Sequence, residues 1–191
     1  MNFVLATANA HKADEMRAVL SRLGISVSPR PDHVPDVDET APDLEGNALL
    51  KARALVAATG QPAVADDTGL FVEALGGDPG VRSARYAGDH ASDEDNRVKL
   101  LAALAGVTDR RASFRTVIAV AYPDGSSLCV EGLLPGTITE SPRGEGGFGY
   151  DSLFEVEGSG GRTLAEMTAD EKNSLSHRAL ALVALAERLA S

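Results

Sequence analysis

The first sixty residues alternate between short apolar runs and apolar positions at helical spacing. Residues 2–6 are apolar and residues 7–9 are polar, a pattern typical of a buried strand that enters a loop. Apolar side chains then recur at helical spacing over residues 12–23, which predicts an amphipathic helix. Residues 25–28 predict a second strand, and the proline-rich, acidic segment 29–42 predicts a loop or a sheet edge.

The next segment predicts a second helix followed by a buried strand. Apolar positions at helical spacing cover residues 44–59. Residues 62–65 are apolar and lead into the polar stretch 66–69, where we expect the strand to end. The glycines and the proline of residues 76–80 predict a tight loop that contains no regular element.

Residues 94–105 predict a third helix, because leucines at helical spacing follow an acidic start. The buried stripe of this helix is predicted to be Val98, Leu101 and Leu104. Residues 144–151, with the sequence GEGGFGYD, form a glycine-rich loop that carries two of the aromatic residues. We expect this loop to be too rich in glycine to belong to the core.

The remaining pattern predicts a β-hairpin and a C-terminal helix. Residues 112–122 and 127–131 flank the turn sequence Pro-Asp-Gly, which indicates two antiparallel strands. Residues 137–140 predict a further strand, and residues 175–189 carry a helical apolar stripe. Because helices and strands interleave while the hairpin is antiparallel, we predict an α/β fold with a mixed sheet.

Length and charge limit the classes of protein that this chain can belong to. The 191 residues suffice for one domain, or for two lobes that share a core. Eighteen basic and 28 acidic residues give a formal net charge of −10. We expect no binding to nucleic acid or to an anionic membrane surface, since both require a positive field. Any anionic ligand must be attracted by local groups or by a metal.

The single cysteine and the lack of long apolar runs predict the cellular compartment. Cys129 excludes an internal disulfide, suits a reducing environment and is expected to be a small buried hydrophobe. No apolar run approaches the roughly 18 residues of a membrane span. The N-terminal sequence has neither the basic segment nor the apolar core of a signal peptide. We therefore expect a soluble cytoplasmic protein.

The polar stretch from Thr7 to Lys12 is the first candidate for chemistry. It joins a predicted strand to a helix N-terminus, where unpaired N–H groups and a lysine can hold phosphate groups. The glycines of the Walker pattern are absent. A polar helix entry with a surface lysine explains the same residues.

Two acidic segments are candidate metal ligands. Asp66 and Asp67 follow a predicted strand, and consecutive strand residues point to opposite faces, so their carboxylates need not share one role. Mg²⁺ beside phosphates is held by one or two such carboxylates, with water completing the shell. Asp67 could equally form an Asx-turn with Thr68 and Gly69. Glu39, in the acidic loop, is either a second carboxylate for the metal or a solvated charge.

The C-terminal third carries two further candidates. Phe148 and Tyr150 could stack on a planar base, or could pin the glycine loop to the core. A cap at Asn173 or Ser174 would place the cations that follow in the first helical turn, where an anion would stabilise them. Alternatively, the helix starts at Thr168 and these cations are solvated in mid-helix. The cations that would follow this cap are His177 and Arg178, and Lys172, just before it, belongs to the same basic segment.

Six ordered motifs make the sequence similar to a known family. They read LATANAHKADE, NALLKA, VADDTGL, ALGGDPGVRSARYAG, GGFGYDSLF and EKNSLSHR, and they span nearly the whole chain. On these motifs the sequence resembles the inosine triphosphate pyrophosphatase family. The resemblance implies one domain over residues 1–191, with an elongated mixed β-sheet, flanking helices and two lobes around a central substrate cleft. It also implies a homodimer.

The resemblance assigns roles to particular positions. It implies that Asp67 is the proton acceptor and a Mg²⁺ ligand, and that Glu39 is a second metal ligand. Whether Asp67 is the base for the attacking water or only the ligand that activates it stays open. The implied substrate contacts are Thr7, Ala8, Asn9, Ala10, His11, Lys12, Lys51, Thr68, Phe148, Gly149, Tyr150, Asp151, Lys172, His177 and Arg178.

The implied reaction is the Mg²⁺-dependent hydrolysis of deaminated purine nucleoside triphosphates. ITP, dITP and XTP would give the monophosphate and pyrophosphate. Donors around His177 and Arg178 would pair with the oxygen at position six of the base, whereas the amino group of adenine would leave them unpaired. Two alternatives remain: a pyrophosphatase for modified pyrimidine triphosphates, and a nucleotide-binding module without catalysis.

Overall fold

The computed structural model describes residues 2–190. The strands are β1 (Asn2–Leu5), β2 (Ser26–Ser28), β3 (Ala63–Val72), β4 (Pro79–Gly80), β5 (Arg111–Ala121), β6 (Ser127–Ile138) and β7 (Phe154–Val156). The helices are α1 (Ala10–Arg22), α2 (Leu44–Thr59), α3 (Asp93–Ala103), α4 (Ala169–Leu175) and α5 (His177–Ala190).

The chain folds into two compact units built from alternating stretches of sequence. Unit 1 takes the chain up to Asp67, then Thr116–Gly132, then the residues from Ser176 onward. Unit 2 takes Thr68–Arg115 and Leu133–Leu175.

The seven strands hydrogen-bond in the order β2-β1-β3-β5-β6-β7, and β4 pairs with β3. The pairing is mixed: β1 is parallel to both β2 and β3, whereas β3–β4 and β6–β7 are antiparallel. The predicted α/β class with a mixed sheet is confirmed. None of the helices within residues 2–190 is both long enough and apolar enough to cross a bilayer.

Strand alternation determines how the helices of unit 1 are layered on the sheet. Phe3 and Leu5 of β1 pack with Met16 of α1 and with the buried side of α5. Val4, which points to the other face, packs with Leu55 of α2. Successive side chains of a strand alternate between faces. Unit 1 therefore has α1 and α5 on one face of the sheet and α2 on the other.

Unit 2 has a separate core. Leu100 and Leu104 bury one side of α3 against strand residues that include Phe114 and Phe154. The two phenylalanine rings are tilted relative to each other and their centroids lie 4.7 Å apart, an arrangement that aromatic pairs prefer. Tyr150 belongs to this core, so the expectation that the glycine-rich loop lies wholly outside the core is wrong.

Strand β3 is longer than the sequence pattern predicts. It does not end at residue 65 but continues through both aspartates to Val72. Leu70 and Phe71 supply apolar side chains beyond the polar break and pair with Gly80 and Pro79 of β4. This pairing also corrects the prediction that residues 76–80 contain no regular element. The Asx-turn alternative for Asp67 is wrong as well, since Asp67 lies within the strand.

Two other elements differ from prediction in phase or length. Val98 of α3 is 62% exposed, because Asn96 and Leu100 set the buried face instead. The predicted hairpin is confirmed by the bond from the Tyr122 N–H to the Ser126 carbonyl. Its second strand, β6, runs without a break to Ile138, so the predicted separate strand at 137–140 is wrong. Strand β7 was not predicted.

The C-terminal segment forms two helices rather than one. Thr168 and Glu171 exchange backbone and side-chain hydrogen bonds at the start of α4. Helix α5 starts after Ser176, whose hydroxyl accepts from the Ala179 N–H at 3.2 Å. The predicted cap at Asn173 or Ser174 is wrong because these residues lie inside α4. His177 and Arg178 nevertheless occupy the first turn of a helix, as predicted.

Candidate active site

The polar stretch after β1 caps the first helix. The Asn9 side chain accepts from the Lys12 N–H at 3.2 Å, and the Asn9 N–H donates to the Thr7 hydroxyl. Ala8, Ala10 and His11 are exposed around this cap. A cavity of about 530 Å³ is lined by Thr7, Ala8 and Ala10 on one side and by Arg17 and residues 29–36 on the other. The N-terminus of α1 thus borders a cavity of a size typical of ligand sites.

The two consecutive aspartates of β3 point to opposite layers of unit 1. Asp66 shares its face with Val64, which packs against α1 and α5. Asp67 shares its face with Ala63, which packs against α2. The cationic partners of each aspartate follow from this alternation.

Asp66 binds two cations. Its Oδ2 lies 3.1 Å from Lys12 Nζ and 3.0 Å from Arg178 Nη2. Arg178 also pairs with Glu15 of α1. Burial alone would raise the pKa of Asp66, but the charges of Lys12 and Arg178 lower it far below its ordinary value. We call these four residues the buried ion network; its two cations and two carboxylates balance.

Arg178 lies deep in this network. The residue is 1% exposed, and its guanidinium donates to carboxylates from two elements, β3 and α1. Burying an unpaired guanidinium would cost folding free energy. The carboxylates of Asp66 and Glu15 compensate the charge of Arg178 at this buried position. The alternative of a solvated mid-helix cation is wrong. The role of Arg178 as a substrate contact stays a prediction.

Asp67 lies in a second cluster, on the α2 side of β3. Lys51 Nζ lies 2.9 Å from Asp67 Oδ1 and 3.1 Å from Glu39 Oε1. Asn47, one helical turn before Lys51, donates to Asp67 Oδ2 at 3.4 Å. Asn47 also accepts from the Ala41 N–H, which ties the acidic segment to α2. We call Glu39, Lys51 and Asp67 the carboxylate cluster.

The carboxylate cluster shifts the pKa of both of its central groups upward. Burial raises the pKa of Asp67 and the charge of Glu39 raises it further, against the opposing effect of Lys51. Burial would lower the pKa of Lys51, but Asp67, Asp66 and Glu39 together raise it. Asp67 therefore holds a proton more readily than an ordinary aspartate, whereas Lys51 stays charged.

The donor set of the carboxylate cluster fits one magnesium ion. Oxygens of Asp67 and Glu39 converge on one cationic point, Lys51 Nζ. Two carboxylates with water are a usual shell for Mg²⁺ beside phosphates. Within residues 2–190 there is no group of three or more His, Cys, Asp or Glu side chains placed to hold a metal. The pair fits a partly hydrated ion rather than a closed protein cage.

His177 is buried at the start of α5. Its Nδ1 lies 2.6 Å from the hydroxyl of Thr116, and both residues are buried. This contact fixes the orientation of the imidazole ring. The role of His177 as a substrate contact stays a prediction.

Unit 2 gathers the predicted residues of the glycine-rich loop around a buried lysine. Lys172 Nζ lies 2.6 Å from Asp151 Oδ2 and 4.6 Å from the centre of the Phe148 ring. Tyr150 is buried and donates its hydroxyl hydrogen to the Ser83 carbonyl at 2.8 Å. Tyr150 therefore holds the loop against the core, and the Phe148 ring makes a cation–π contact with Lys172. We call Phe148–Asp151 and Lys172 the loop cluster.

Sequence reasoning missed three residues that the structure places around these groups. Glu15 joins Asp66 in the buried ion network, Asn47 holds Asp67, and Thr116 holds His177. Signals for two of them were present: Asn47 precedes Lys51 by one helical turn, and Glu15 follows Lys12 by one. Thr68, which follows Asp67 in β3, is half-buried.

A mixed α/β chain with a carboxylate pair around a lysine, beside a helix N-terminus, has the groups of a nucleotide-hydrolysing protein. Comparison with known proteins supports this class. The chain belongs to the Ham1 family, whose model matches residues 3–188.

Individual relatives are similar along nearly the whole chain. A Streptomyces coelicolor protein named dITP/XTP pyrophosphatase is 50% identical over 95% of this chain and 94% of its own length. A HAM1 protein from Coxiella burnetii has a solved structure with a TM-score of 0.90 and 42% identity, covering 100% of this chain and 98% of that one. A dITP/XTP pyrophosphatase from Mycobacterium abscessus gives a TM-score of 0.76 at 41% identity, with 97% of each chain covered.

Proposed function

We propose that this chain is a nucleoside triphosphate pyrophosphatase that hydrolyses ITP, dITP and XTP to the monophosphate and pyrophosphate. Membership of the Ham1 family and the name of the Streptomyces coelicolor relative support the reaction class. The observation that carries the proposal is the convergence of Asp67 and Glu39 on Lys51 Nζ. It supplies a carboxylate pair for a metal, a base and a phosphate-neutralising cation in one place.

Each group of the carboxylate cluster has a defined task in this proposal. Asp67 accepts the proton of the attacking water. Its raised pKa favours this role, because a general base is most effective when its pKa lies near the working pH. Lys51 keeps its proton and neutralises charge on the phosphate oxygens. Lys12 and the N-terminus of α1 hold phosphate groups. Thr7, Ala8, Asn9, Ala10 and His11 form the remainder of this phosphate loop.

Asp67 and Glu39 are the proposed ligands of Mg²⁺. When bound, the ion supplies Lewis-acid stabilisation of the charge that develops on phosphate oxygens and lowers the pKa of bound water. Asn47 keeps the Asp67 carboxylate oriented, since its amide bonds the oxygen that Lys51 does not. The acidic segment stays near α2 through the bond between the Ala41 N–H and Asn47.

The loop cluster is the proposed base-recognition element. The Phe148 ring offers a face for stacking, and Lys172 and Asp151 provide polar groups beside it. Gly149 and Tyr150 shape the loop, and Thr68 is a further substrate contact. Backbone or side-chain donors around His177 and Arg178 pair with the oxygen at position six, which hypoxanthine and xanthine carry and adenine lacks.

The assembly and the compartment complete the proposal. We take residues 1–191 as one functional domain that works as a homodimer in the cytoplasm. Cys129 is half-buried, so the expectation that it is fully buried is wrong; its free thiol suits a reducing compartment. Sedimentation equilibrium over a range of protein concentrations tests the dimer, which predicts twice the mass of 19.8 kDa.

Initial rates on a panel of triphosphates test the proposed function. The purified chain is mixed with ITP, XTP, ATP, GTP and dUTP, with and without Mg²⁺. The proposal predicts that ITP and XTP are hydrolysed fastest and that omission of Mg²⁺ abolishes the activity. Faster turnover of dUTP would indicate a pyrimidine enzyme instead. Tight binding of ITP without turnover would indicate a nucleotide-binding module.

A further inference from the structure

Both main-chain polar groups of Gly149 are bonded to side chains of α3. The Gly149 N–H donates to Asp93 Oδ2 at 2.7 Å, and Arg97 Nη1 donates to the Gly149 carbonyl at 2.7 Å. All three residues belong to unit 2. A carboxylate therefore faces the positive end of this residue's backbone dipoles, and a guanidinium faces the negative end. Charge-assisted hydrogen bonds of this kind are stronger than neutral ones.

Gly149 is the point at which the loop cluster changes direction. The Asp151 N–H donates to the Phe148 carbonyl at 3.2 Å, which closes a four-residue turn with Gly149 in its first central position. Gly149 has φ of +61°, a left-handed conformation that favours glycine. The Asp93 and Arg97 contacts hold the backbone at this position. They thereby fix the spacing of Phe148 on one side of the turn and Asp151 on the other.

Helix α3 is a rigid support for these contacts. Asp93 and Arg97 are one helical turn apart and lie on the same face of α3. Ser92 caps the helix with a reciprocal bond to Asp95, and the core residue Leu100 anchors its middle. Asn96 is buried and bonds the Ala84 carbonyl and the Ala87 N–H. The helix can therefore hold the turn without moving.

We propose that Asp93 and Arg97 are positioning residues for base recognition, acting through Gly149 on the loop cluster. The inference rests on the function proposed above for that cluster. Neither side chain needs to touch the substrate. Loosening Gly149 would let the Phe148 ring leave its stacking position over Lys172, which weakens binding of the base more than it changes the chemistry at the phosphates.

Steady-state kinetics of three variants test the proposal. Asp93→Asn and Arg97→Gln each remove one charge-assisted contact. We expect KM for ITP to rise about fivefold to tenfold while kcat changes less than about twofold. The ratio of kcat/KM for ITP to kcat/KM for ATP should become smaller. Arg97→Lys, which keeps a positively charged donor where Gln offers only a neutral one, should recover part of the affinity. Melting temperatures should stay within about 2 °C of the unmodified chain, since Asp93 is exposed and Arg97 is half-buried outside the hydrophobic core.

Glu94→Gln is the matched control, because Glu94 is an exposed acidic residue in the same helical turn. Glu94→Gln loses the same charge at the same end of α3, but the bonds to Gly149 come from Asp93 and Arg97 and are kept. KM for ITP should therefore not change in this variant. If Glu94→Gln raises KM as much as Asp93→Asn does, or if both test variants keep the unmodified KM and ITP preference, the proposal is wrong.

Amide hydrogen exchange at Gly149 separates this inference from the proposed function. The positioning role predicts faster exchange of the Gly149 amide in Asp93→Asn and not in Glu94→Gln, with or without nucleotide. An unmodified chain that hydrolyses no ITP would overturn the proposed function, and the base-recognition role with it. An active chain whose Gly149 exchange is unchanged in Asp93→Asn would overturn only the positioning role.

Discussion

Asp66 and Asp67 are consecutive residues of one strand whose carboxylates point to opposite helix layers and have opposite pKa shifts. Asp66 faces Lys12 and Arg178, and its pKa is lowered; Asp67 lies by Glu39 and Lys51, and its pKa is raised. The difference follows from strand alternation, which gives each carboxylate a different set of neighbours. One doublet thus supplies a permanently charged anchor and a group suited to accept a proton.

Replacing Asp67 should slow hydrolysis strongly without unfolding the protein. In Asp67→Asn we expect kcat for ITP to fall by a factor of about 10² to 10⁴, because the base and a metal ligand are lost. Because its pKa is raised in the folded state, ionised Asp67 costs stability as pH rises above the ordinary value of 3.8. The variant should therefore be at least as stable as the unmodified chain at pH 7, measured by urea unfolding. A variant with full activity would contradict the role of Asp67.

Replacing Asp66 should lower the stability of the protein, in contrast to replacing Asp67. Asp66→Asn leaves the buried Arg178 with fewer compensating charges, and we expect a loss of about 3 to 5 kcal/mol in the free energy of unfolding. Asp14→Asn is the control, since Asp14 pairs with Arg17 at the surface and should cost less than about 1 kcal/mol. Equal losses in the two variants would show that the ion network is not a buried anchor.

The stabilising effect of Asp66 should depend on pH in one direction. Its pKa is lower in the folded state than the ordinary 3.8, so its contribution is fully present above that value and is lost as pH falls below it. The difference in unfolding free energy between the unmodified chain and Asp66→Asn should be constant near neutral pH. It should shrink in acid. A difference that grows as pH falls would contradict this assignment.

Lys172 should stabilise unit 2 as well as shape the loop cluster. Lys172→Met leaves the carboxylate of Asp151 buried without its cation, and we expect a loss of about 3 kcal/mol or more in unfolding free energy. Arg162→Met removes an exposed pair with Glu171 and serves as the control, with an expected loss below about 1 kcal/mol. Urea denaturation of both variants distinguishes these cases.

The thiol of Cys129 should react slowly at neutral pH. Burial raises the pKa of Cys129 to about 11, and the nearby charge of Glu45 adds to this effect. Because only the thiolate reacts, the rate of alkylation by iodoacetamide should increase steeply between pH 8 and about 11. A fast reaction at pH 7 that hardly changes with pH would contradict this expectation.

Local pattern predicted most helices and strands, and it failed where long-range pairing decides the outcome. Helix α2 matches its predicted bounds of residues 44–59, because its capping residue and its terminal glycine are local signals. The end of β3 could not be predicted, since its continuation depends on pairing with β4. The phase of α3 was missed because Asn96, a polar residue, is buried by bonds to main-chain groups of Ala84 and Ala87, outside the helix.

The candidate site shows the same limit. Asp67 was recognisable as a candidate metal ligand from its position after an apolar strand. Glu39 was left open as a metal ligand or a solvated charge, and Lys51 was assigned only by the resemblance of its motif to the family. The pairing of Arg178 with Glu15 and Asp66 was not recognisable, because both carboxylates lie more than a hundred residues away in sequence. Tyr150 looked like a loop residue, and its packing in the core of unit 2 and its bond to the Ser83 carbonyl became visible only in the structure.

The most direct test of the central claim is the identity of the phosphorus products formed from ITP. The purified chain is incubated with ITP and Mg²⁺, and the products are resolved by ³¹P NMR, with Asp67→Asn as the control. The account predicts inosine monophosphate and pyrophosphate in equal amounts, with product signals that grow at least about a hundredfold more slowly in the control. Release of orthophosphate and inosine diphosphate, or equal product formation by Asp67→Asn, would contradict it.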